Sequence, residues 1–438
     1  MTNILPGSSG WPSILLAGAG RAAATDPADR AEWPALRRVV RDLGSTGTIA
    51  QISASGLRGR GGGGYPTGEK WRACATTEAP RRHVVANAYA ADPSSRTDLA
   101  LLEIDAHSVL EGLAIAAFSV GAEETVVAVR ADATAAIAAL ELTIAEATAA
   151  GALGPDVFGS GHRIDVSIRP VQGAYMLGEE TVLLRALEGK RGQPEQRPPH
   201  PAQRGLFGMP TVVQNVQTLA AIPWIVVNGA EAFAATGARG TTGTILVSLR
   251  GPGGEGVAEV PLGTPLREIV ALAGALPPGR SVKAVLVGGP SGGILPAELL
   301  DTPYDFDSLR AAGAHLGSGS VVVADDRACI VDLARLVTRF CADEACGKTI
   351  PCRIGLRRLS EIADRIATGV PLPTDPTLLA DLAADVVGSA LCDHERLATL
   401  PLMSGMRYFR SELDEHILRS SCPAGVCRPI AVGAGATH

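Results

Sequence analysis

The sequence contains no run of basic residues, and its formal net charge is −6. Nucleic acid is therefore not an expected partner. Nor is there an uninterrupted apolar stretch of membrane-crossing length: the nearest candidates, Val109–Val120 and Leu219–Val227, are broken or too short. No basic region stands ahead of the short apolar run Ile14–Ala19 within Met1–Ala24, so no secretory leader is expected. These absences predict a cytoplasmic protein with no direct membrane insertion, peripheral to a membrane only through a partner. What is present, 46% hydrophobic against 19% charged residues, suits a chain with a large buried core. At 438 residues it has room for about two to four domains.

One stretch organises the rest: Gly56-Leu-Arg-Gly-Arg-Gly-Gly-Gly-Gly-Tyr-Pro-Thr-Gly-Glu-Lys-Trp71. Six of the ten residues from Gly59 to Gly68 are glycine, which disfavours a helix interior. A flexible linker would be rich in serine and poor in Arg, Lys, Tyr and Trp. The stretch reads instead as a loop whose bare N–H groups approach a phosphate, with Arg58, Arg60 and Lys70 adding positive charge.

Further along, the apolar strand His83–Asn87, the helical spacing of Leu99–Val120, the strand Thr125–Val129, the helix Ala133–Ala150 and the strand Asp165–Val171 alternate. That alternation predicts an α/β domain with a parallel, Rossmann-like sheet, in which ligands sit at the carboxyl ends of the strands. Gly178-Glu-Glu-Thr181 marks a helix start, where two acids suit the helix dipole or hydrogen-bond a ligand. Thr211–Val227, carrying Gln214 and Asn215, is expected to be helical. From Gly243 a hairpin (Thr244–Leu249 and Val257–Val260), a helix at Leu266–Leu272 and strands at Ala284–Val287 and Val321–Val323 suggest a β-grasp, ubiquitin-like domain. Helical segments Ile330–Phe340, Gly355–Thr368, Thr377–Val387 and Arg396–Ile417 then suggest a four-helix bundle. The expected partition is 1–55 helical, 56–240 α/β, 241–328 β-grasp, 329–420 bundle and 421–438 tail. Of eight cysteines, Cys74 and Cys329 stand alone, whereas the other six lie in the last quarter of the chain, which in a cytoplasmic protein points to metal.

These motifs, in this order, resemble the NADH-binding flavoprotein subunit of respiratory complex I and its soluble relatives in NAD-linked hydrogenases and formate dehydrogenases. The likeness rests on residues 56–71, Gly-Glu-Glu-Thr-Val-Leu-Leu at 178–184, Leu-Glu-Gly-Lys-Arg-Gly-Gln-Pro at 187–194 and Gly-Leu-Phe-Gly-Met-Pro-Thr-Val-Val-Gln-Asn-Val-Gln-Thr-Leu at 205–219. Glu344-Ala-Cys-Gly-Lys-Thr-Ile-Pro-Cys-Arg353 and the separate Cys392 complete it. The resemblance implies an electron-input subunit in which FMN takes hydride from NADH and electrons leave singly through a [4Fe-4S] cluster. A thioredoxin-like iron–sulfur partner within a larger oxidoreductase complex is implied with it. Carried onto this chain, FMN and NADH contacts fall to Gly61, Gly62, Gly64, Tyr65, Lys70, Asn87, Asp92, Gly178, Glu179, Glu180, His200 and Asn215, with Glu179 and Glu180 as the catalytic candidates.

The chain departs from this pattern in three places. After Asn87 the usual Ala-Asp-Glu-x-Glu-Pro-Gly-Thr becomes Ala88-Tyr-Ala-Ala-Asp-Pro-Ser-Ser95, so Tyr89 and Ala90 replace acids and Asp92 keeps one. The ring-stacking phenylalanines become Tyr65, Ala73 and His200, and losing the aromatic at Ala73 costs on the order of 1 kcal/mol of binding. In the cluster motif Thr349 replaces the middle thiolate, leaving Cys346, Cys352 and Cys392. A threonine hydroxyl is a poor substitute on iron, which leaves three outcomes open: a [4Fe-4S] cluster with one non-thiolate ligand, a three-iron cluster, or none. The alternative function is a degenerate scaffold subunit that keeps the fold without the chemistry. Finally, Cys422-Pro-Ala-Gly-Val-Cys427, His416 and Cys341 make a reasonable tetrahedral zinc set.

Overall fold

The computed structural model describes residues 2–18, 32–238 and 240–427; the end of the expected tail, from residue 428, lies outside them. The first region runs from helix α1 (Gly44–Ala54) through α2 (Thr67–Thr76) into strand β1 (His83–Ala88). It continues with α3 (Thr97–Val120), β2 (Glu124–Arg130), α4 (Thr134–Ala149) and β3 (Asp165–Val171). Then come α5 (Glu180–Leu187), β4 (Thr211–Asn215) and α6 (Val216–Asn228). The four strands form a parallel sheet in the order β3-β2-β1-β4. The chain therefore winds outward from β1 to β3 and returns to place β4 on the other side of β1. The strand order reverses between β1 and β4, and such a switch point opens a crevice at the strand carboxyl ends. Asn87 and Asn215 face each other there as register partners.

The segment 211–227 differs from the expected single helix: Thr211–Asn215 is a strand, and the helix begins at Val216. The β-branched run Thr-Val-Val favours the pleated, half-buried surface beside β1, and Asn215 ends it by capping α6, its side chain accepting from the Gln217 N–H at 2.9 Å. The apolar sides of β1, β2 and β4 are buried under α3 and α6 among Val84, Ala86, Val127, Leu110, Leu219 and Ile222.

A second sheet follows. Strands β5 (Thr244–Gly251) and β6 (Gly254–Pro261) form the expected hairpin, helix α7 (Leu266–Ala271) comes next, and β7 (Val282–Val287), β8 (Gly293–Pro296), α8 (Phe306–Ala311) and β9 (Ser320–Asp325) complete the region. The sheet order is β8-β7-β9-β5-β6, with β9 parallel to β5 and the other pairs antiparallel. Strand β8 and helix α8 escape sequence reading, because β8 is short and follows the glycine-rich turn 288–293.

The C-terminal region holds α9 (Ile330–Asp343), α10 (Leu356–Ala367), α11 (Asp375–Gly388), α12 (Asp393–Leu397), α13 (Leu400–Tyr408) and α14 (Arg410–Arg419). Leu356, Leu359, Ile362, Ala363 and Ile366 recur on one side of α10 and meet Ile330, Leu379, Leu402 and Leu413 in a common core. The expected continuous helix Arg396–Ile417 is broken twice: Pro401 lies in the first turn of α13, and Phe409, with φ −119° and ψ 39°, separates α13 from α14. Among the described residues no helix is long and apolar enough to cross a membrane.

Candidate functional site

The glycine loop is clamped from both sides. A Cβ on Gly61 would lie 3.3 Å from the Asn215 Cβ, and Gly64, at φ +61°, would drive one to 2.7 Å from the Phe306 ring. Gly64 thus needs both its backbone freedom and its missing side chain. The two arginines hold the loop rather than offer charge to a ligand. Arg60 is buried and donates to the carbonyls of Thr244 (3.0 Å), Thr242 (2.6 Å) and Arg58 (2.9 Å). Burial, helped by Arg58, lowers its pKa to about 9. Arg58 donates to the Gly64 carbonyl at 2.7 Å and lies 4.3 Å over the Phe306 ring. The phosphate-facing role expected of Arg60 is therefore corrected, because three backbone carbonyls take its donors, while Arg58 gives Nε to the Gly64 carbonyl and lies 3.7 Å from Asp307. The N–H groups of Gly61, Gly62, Gly63 and Gly64 donate to no acceptor among the described residues.

Lys70, on the first turns of α2, closes the loop onto the acid pair: its Nζ reaches Glu180 Oε2 at 3.0 Å and the Val213 carbonyl at 3.1 Å. The glycine loop and the segment after Gly178 are thus neighbours across the crevice. Glu179 caps α5, accepting from the Thr181 and Val182 N–H groups at 2.9 Å each, and Arg197 bridges it to Glu180. Burial pushes the Glu179 carboxyl above its usual range, against the pull of Arg197, Thr181 and Val182. Burial acts the same way on Glu180, but Lys70 and then Arg197 outweigh it and hold that carboxyl low. Two adjacent acids are so driven apart, one toward the protonated and one toward the ionised form.

Asn87 donates from Nδ2 to the Gly178 carbonyl at 3.3 Å, joining the end of β1 to the acid pair. Asn215 donates to the buried Asp98 at 2.6 Å, and Gln217 donates to the other oxygen of Asp98 at 2.9 Å. Sequence reading passes over Asp98, an ordinary helix-start acid, and Arg197, which no motif marks. Asp92 is buried, and its carboxylate accepts from Ser94 N–H (2.8 Å) and Ser318 O–H (2.7 Å), so it joins the loop after β1 to the second sheet. Tyr89 is buried among Val85, Met176, Leu177 and Val182, and Ala90 beside it adopts φ 51°, a conformation uncommon for a residue with a side chain. Tyr65 and His200 are exposed, whereas Ala73 packs against the core of the first region.

The cluster cysteines adjoin this crevice. Cys346 and Cys392 pack against the same apolar group as Leu177, Val182 and Leu183 of the acid-pair segment. Lys348 donates to the Pro194 carbonyl, and the Tyr175 N–H donates to Glu344 at 2.8 Å. Burial pushes the Cys352 thiol up to about 12, with Glu395, Cys392 and Cys346 adding to the effect. Burial likewise raises Cys392 to about 11, and Glu179, Cys346 and Glu395 are among the charges it feels. Cys346, Cys352 and Cys392 therefore lie near enough to feel one another's charge, with Glu179 among the charges at Cys392. Thr349 takes no part as a thiolate; its hydroxyl donates to Glu395 at 2.8 Å.

The expected zinc set needs one correction. Cys341 lies near the far end of α9, buried, with its thiol donating to the Pro290 carbonyl at 3.3 Å. The residue that joins His416, Cys422 and Cys427 is Cys329, and the four ligand atoms all lie within 4.8 Å of one another. Cys329 caps the start of α9 and stands 3.5 Å from His416 Nε2 and 3.5 Å from the Cys427 sulfur. His416 Nδ1 is 2.8 Å from the Glu412 carbonyl, which fixes the tautomer that turns the Nε2 lone pair toward the thiols. Burial raises Cys422, but the N–H groups of Cys427 and Val426 outweigh it and lower the thiol to about 6. Cys329 escapes sequence reading because it is distant in the chain; the available signal is its place just before an amphipathic helix.

Residues 52–224 match the Nuo51 FMN-binding domain, and residues 332–416 match the NADH-ubiquinone oxidoreductase-F iron-sulfur binding region. The chain is 42% identical to the HndC subunit of the NADP-reducing hydrogenase of Solidesulfovibrio fructosivorans, over 86% of this chain and 77% of that one. It is 40% identical to the second NADH-quinone oxidoreductase F-type subunit of Rhizobium meliloti (strain 1021), over 89% of this chain and 93% of that one. The crystal structure of an NAD+-reducing [NiFe]-hydrogenase in the H2-reduced state superposes with a TM-score of 0.84 at 31% identity, covering 95% of this chain and 68% of that one.

Proposed function

Because the chain belongs to the family of FMN- and iron–sulfur-binding F-type subunits of NADH-quinone oxidoreductases and related hydrogenases, we propose that it is the electron-input subunit of such a complex, drawing on NADH. The observation that carries this reading is the Lys70–Glu180 bond: it joins the glycine loop to the acid pair at the switch point, and the acid-pair segment packs in the apolar group that also meets Cys346 and Cys392.

The residues present fit a flavin phosphate. Four consecutive glycine amides without protein acceptors are free to bind an anion, and Thr67 Oγ1 and Gln214 Nε2 are buried polar atoms without a protein partner. Bound there, FMN supplies the exchange of a two-electron hydride for single electrons. Gly61, Gly62 and Gly64 would hold the phosphate, with Lys70 balancing negative charge. Asn87, Asn215 and the Gly178 segment would hold the ring, and exposed Tyr65 and His200 would offer faces to the dinucleotide. Glu180, held low, orients Lys70, while burial raises the Glu179 carboxyl beside the cleft and Arg197 holds it in place. Asp92 contributes by fixing the loop after β1.

The iron–sulfur region fits its group through three cysteines, Cys346, Cys352 and Cys392, whose charges act on one another. The Cys329, His416, Cys422 and Cys427 set suits one tetrahedral zinc ion. The finer architecture is part of the same proposal: the hairpin, helix and parallel β5–β9 pair support a β-grasp unit over 241–328, and the helices of 329–420 support a bundle. We assign the α/β unit to 56–240 on the same grounds. A thioredoxin-like iron–sulfur subunit is the proposed partner and the cytoplasm the proposed location. The scaffold alternative has no observation in its favour.

Protein reconstituted with FMN should lose its yellow absorbance when NADH is added without oxygen. Unchanged absorbance in flavin-loaded protein would reject the assignment.

A further inference from the structure

Cys346, Cys352 and Cys392 leave a four-iron site one thiolate short, and the residue in the missing position, Thr349, directs its hydroxyl at a carboxylate. We propose that this carboxylate, Glu395, is the fourth protein ligand of the iron–sulfur site, steered by Thr349. The proposal rests on the iron–sulfur reading above and adds the identity of the ligand.

Glu395 is only 1% exposed. Its Oε1 accepts from Thr349 at 2.8 Å and its Oε2 from the Leu391 N–H at 2.9 Å. Both donors are neutral, and among the described residues no Lys, Arg or His forms an ion pair with it. A carboxylate removed from water is costly without a compensating cation. Its place in the first turn of α12 and its two neutral donors offset part of that cost, and a cationic iron core would offset the rest.

The charge and the donor type agree. Three thiolates and one carboxylate carry the same total charge as four thiolates, whereas a neutral threonine hydroxyl would leave the set one charge short. Iron accepts carboxylate oxygen readily, while an alcohol is a weak donor. Placement agrees too: Glu395 is on α12, the helix that starts directly after Cys392, so one turn would bring two ligands. His394, the other buried donor there, is 3.0 Å from the Cys341 carbonyl through Nε2 and sets its ring edge-on to Tyr175. Thr349 then acts as a positioning residue, holding one carboxylate oxygen. The iron so bound differs from its three thiolate-bound neighbours and is the one most easily lost.

The test is anaerobic reconstitution of the FMN-loaded protein with 57Fe and sulfide, followed by Mössbauer spectroscopy, electron paramagnetic resonance and iron analysis. The expected result is a four-iron cluster with one iron spectroscopically distinct. Glu395→Gln should lose that iron and show the magnetic signature of a three-iron cluster, with FMN content unchanged as the check on folding. Thr349→Cys should give four equivalent thiolate-bound irons, and the double variant Thr349→Cys with Glu395→Gln should keep them. A Glu395→Gln protein with the wild-type spectrum and iron content would overturn the proposal, as would a three-iron cluster in the wild type. Iron uptake by Thr349→Cys alone would overturn the ligand assignment but leave the iron–sulfur reading standing. Uptake by neither would overturn both.

Discussion

The two cysteine sites of the C-terminal helices lie toward opposite ends of α9 and are built in opposite ways. At the helix start, Cys329, His416, Cys422 and Cys427 converge within 4.8 Å, close enough for a single ion. Beyond its far end, Cys346, Cys352 and Cys392 are spread over two apolar groups, and Thr349 in the same motif donates to the Glu395 carboxylate. The tight set comes with a hydrogen-bonded histidine and suits a structural centre. The wider set adjoins Glu179 and the crevice and suits a group that passes electrons. One helix thus separates a set suited to a structural metal from a set suited to passing electrons.

The largest effect should come from dividing the two. Cys352→Ser should abolish the visible cluster absorbance and leave zinc content intact by metal analysis; loss of both metals would merge sites the structure keeps apart. Next, Cys329→Ser should remove the bound zinc and lower the melting temperature, whereas Cys341→Ser should leave zinc unchanged. Zinc retained in the first or lost in the second would put Cys341 in the ligand set in place of Cys329.

The crevice can be tested in the same spirit. Lys70→Met should weaken FMN binding by at least about tenfold, equivalent to roughly 1.4 kcal/mol, in a fluorescence titration. An unaffected affinity would mean that the loop amides alone hold the phosphate. The Glu180 carboxyl is held low in the folded chain, so its stabilisation is full above the unfolded pKa and is lost as pH falls through the folded one. Glu180→Gln should therefore flatten the acid limb of the stability profile, and an unchanged limb would assign it elsewhere. The smallest effect belongs to the exposed Tyr65 ring: Tyr65→Ala should raise the KM for NADH by about fivefold, on the order of 1 kcal/mol of stacking, with kcat little changed.

Sequence reading finds the alternation behind the parallel sheet, because β1, β2 and β3 are apolar runs separated by periodic helices. It runs β4 into α6, since Thr-Val-Val-Gln-Asn is apolar at both periods and Asn215 marks the boundary only once its capping bond is seen. Residue type alone also misleads at the loop: Arg60 looks like a phosphate ligand, yet three carbonyls of the fold take its donors. Lys70 is legible, and its partner Glu180 is too, but not the bond between them. Cys329 and Glu395 are not legible as site residues, because each joins its set only after helices far apart in sequence have packed. Such long-range meetings, unlike glycine runs or cysteine spacings, leave no local pattern.

Rapid anaerobic mixing of NADH with fully loaded protein, followed at flavin and cluster wavelengths together, tests the central claim most directly. The flavin should bleach first and the cluster second, and Cys352→Ser should retain the first phase while losing the second. Cluster bleaching without a preceding flavin phase, or no bleaching of either, would contradict the account.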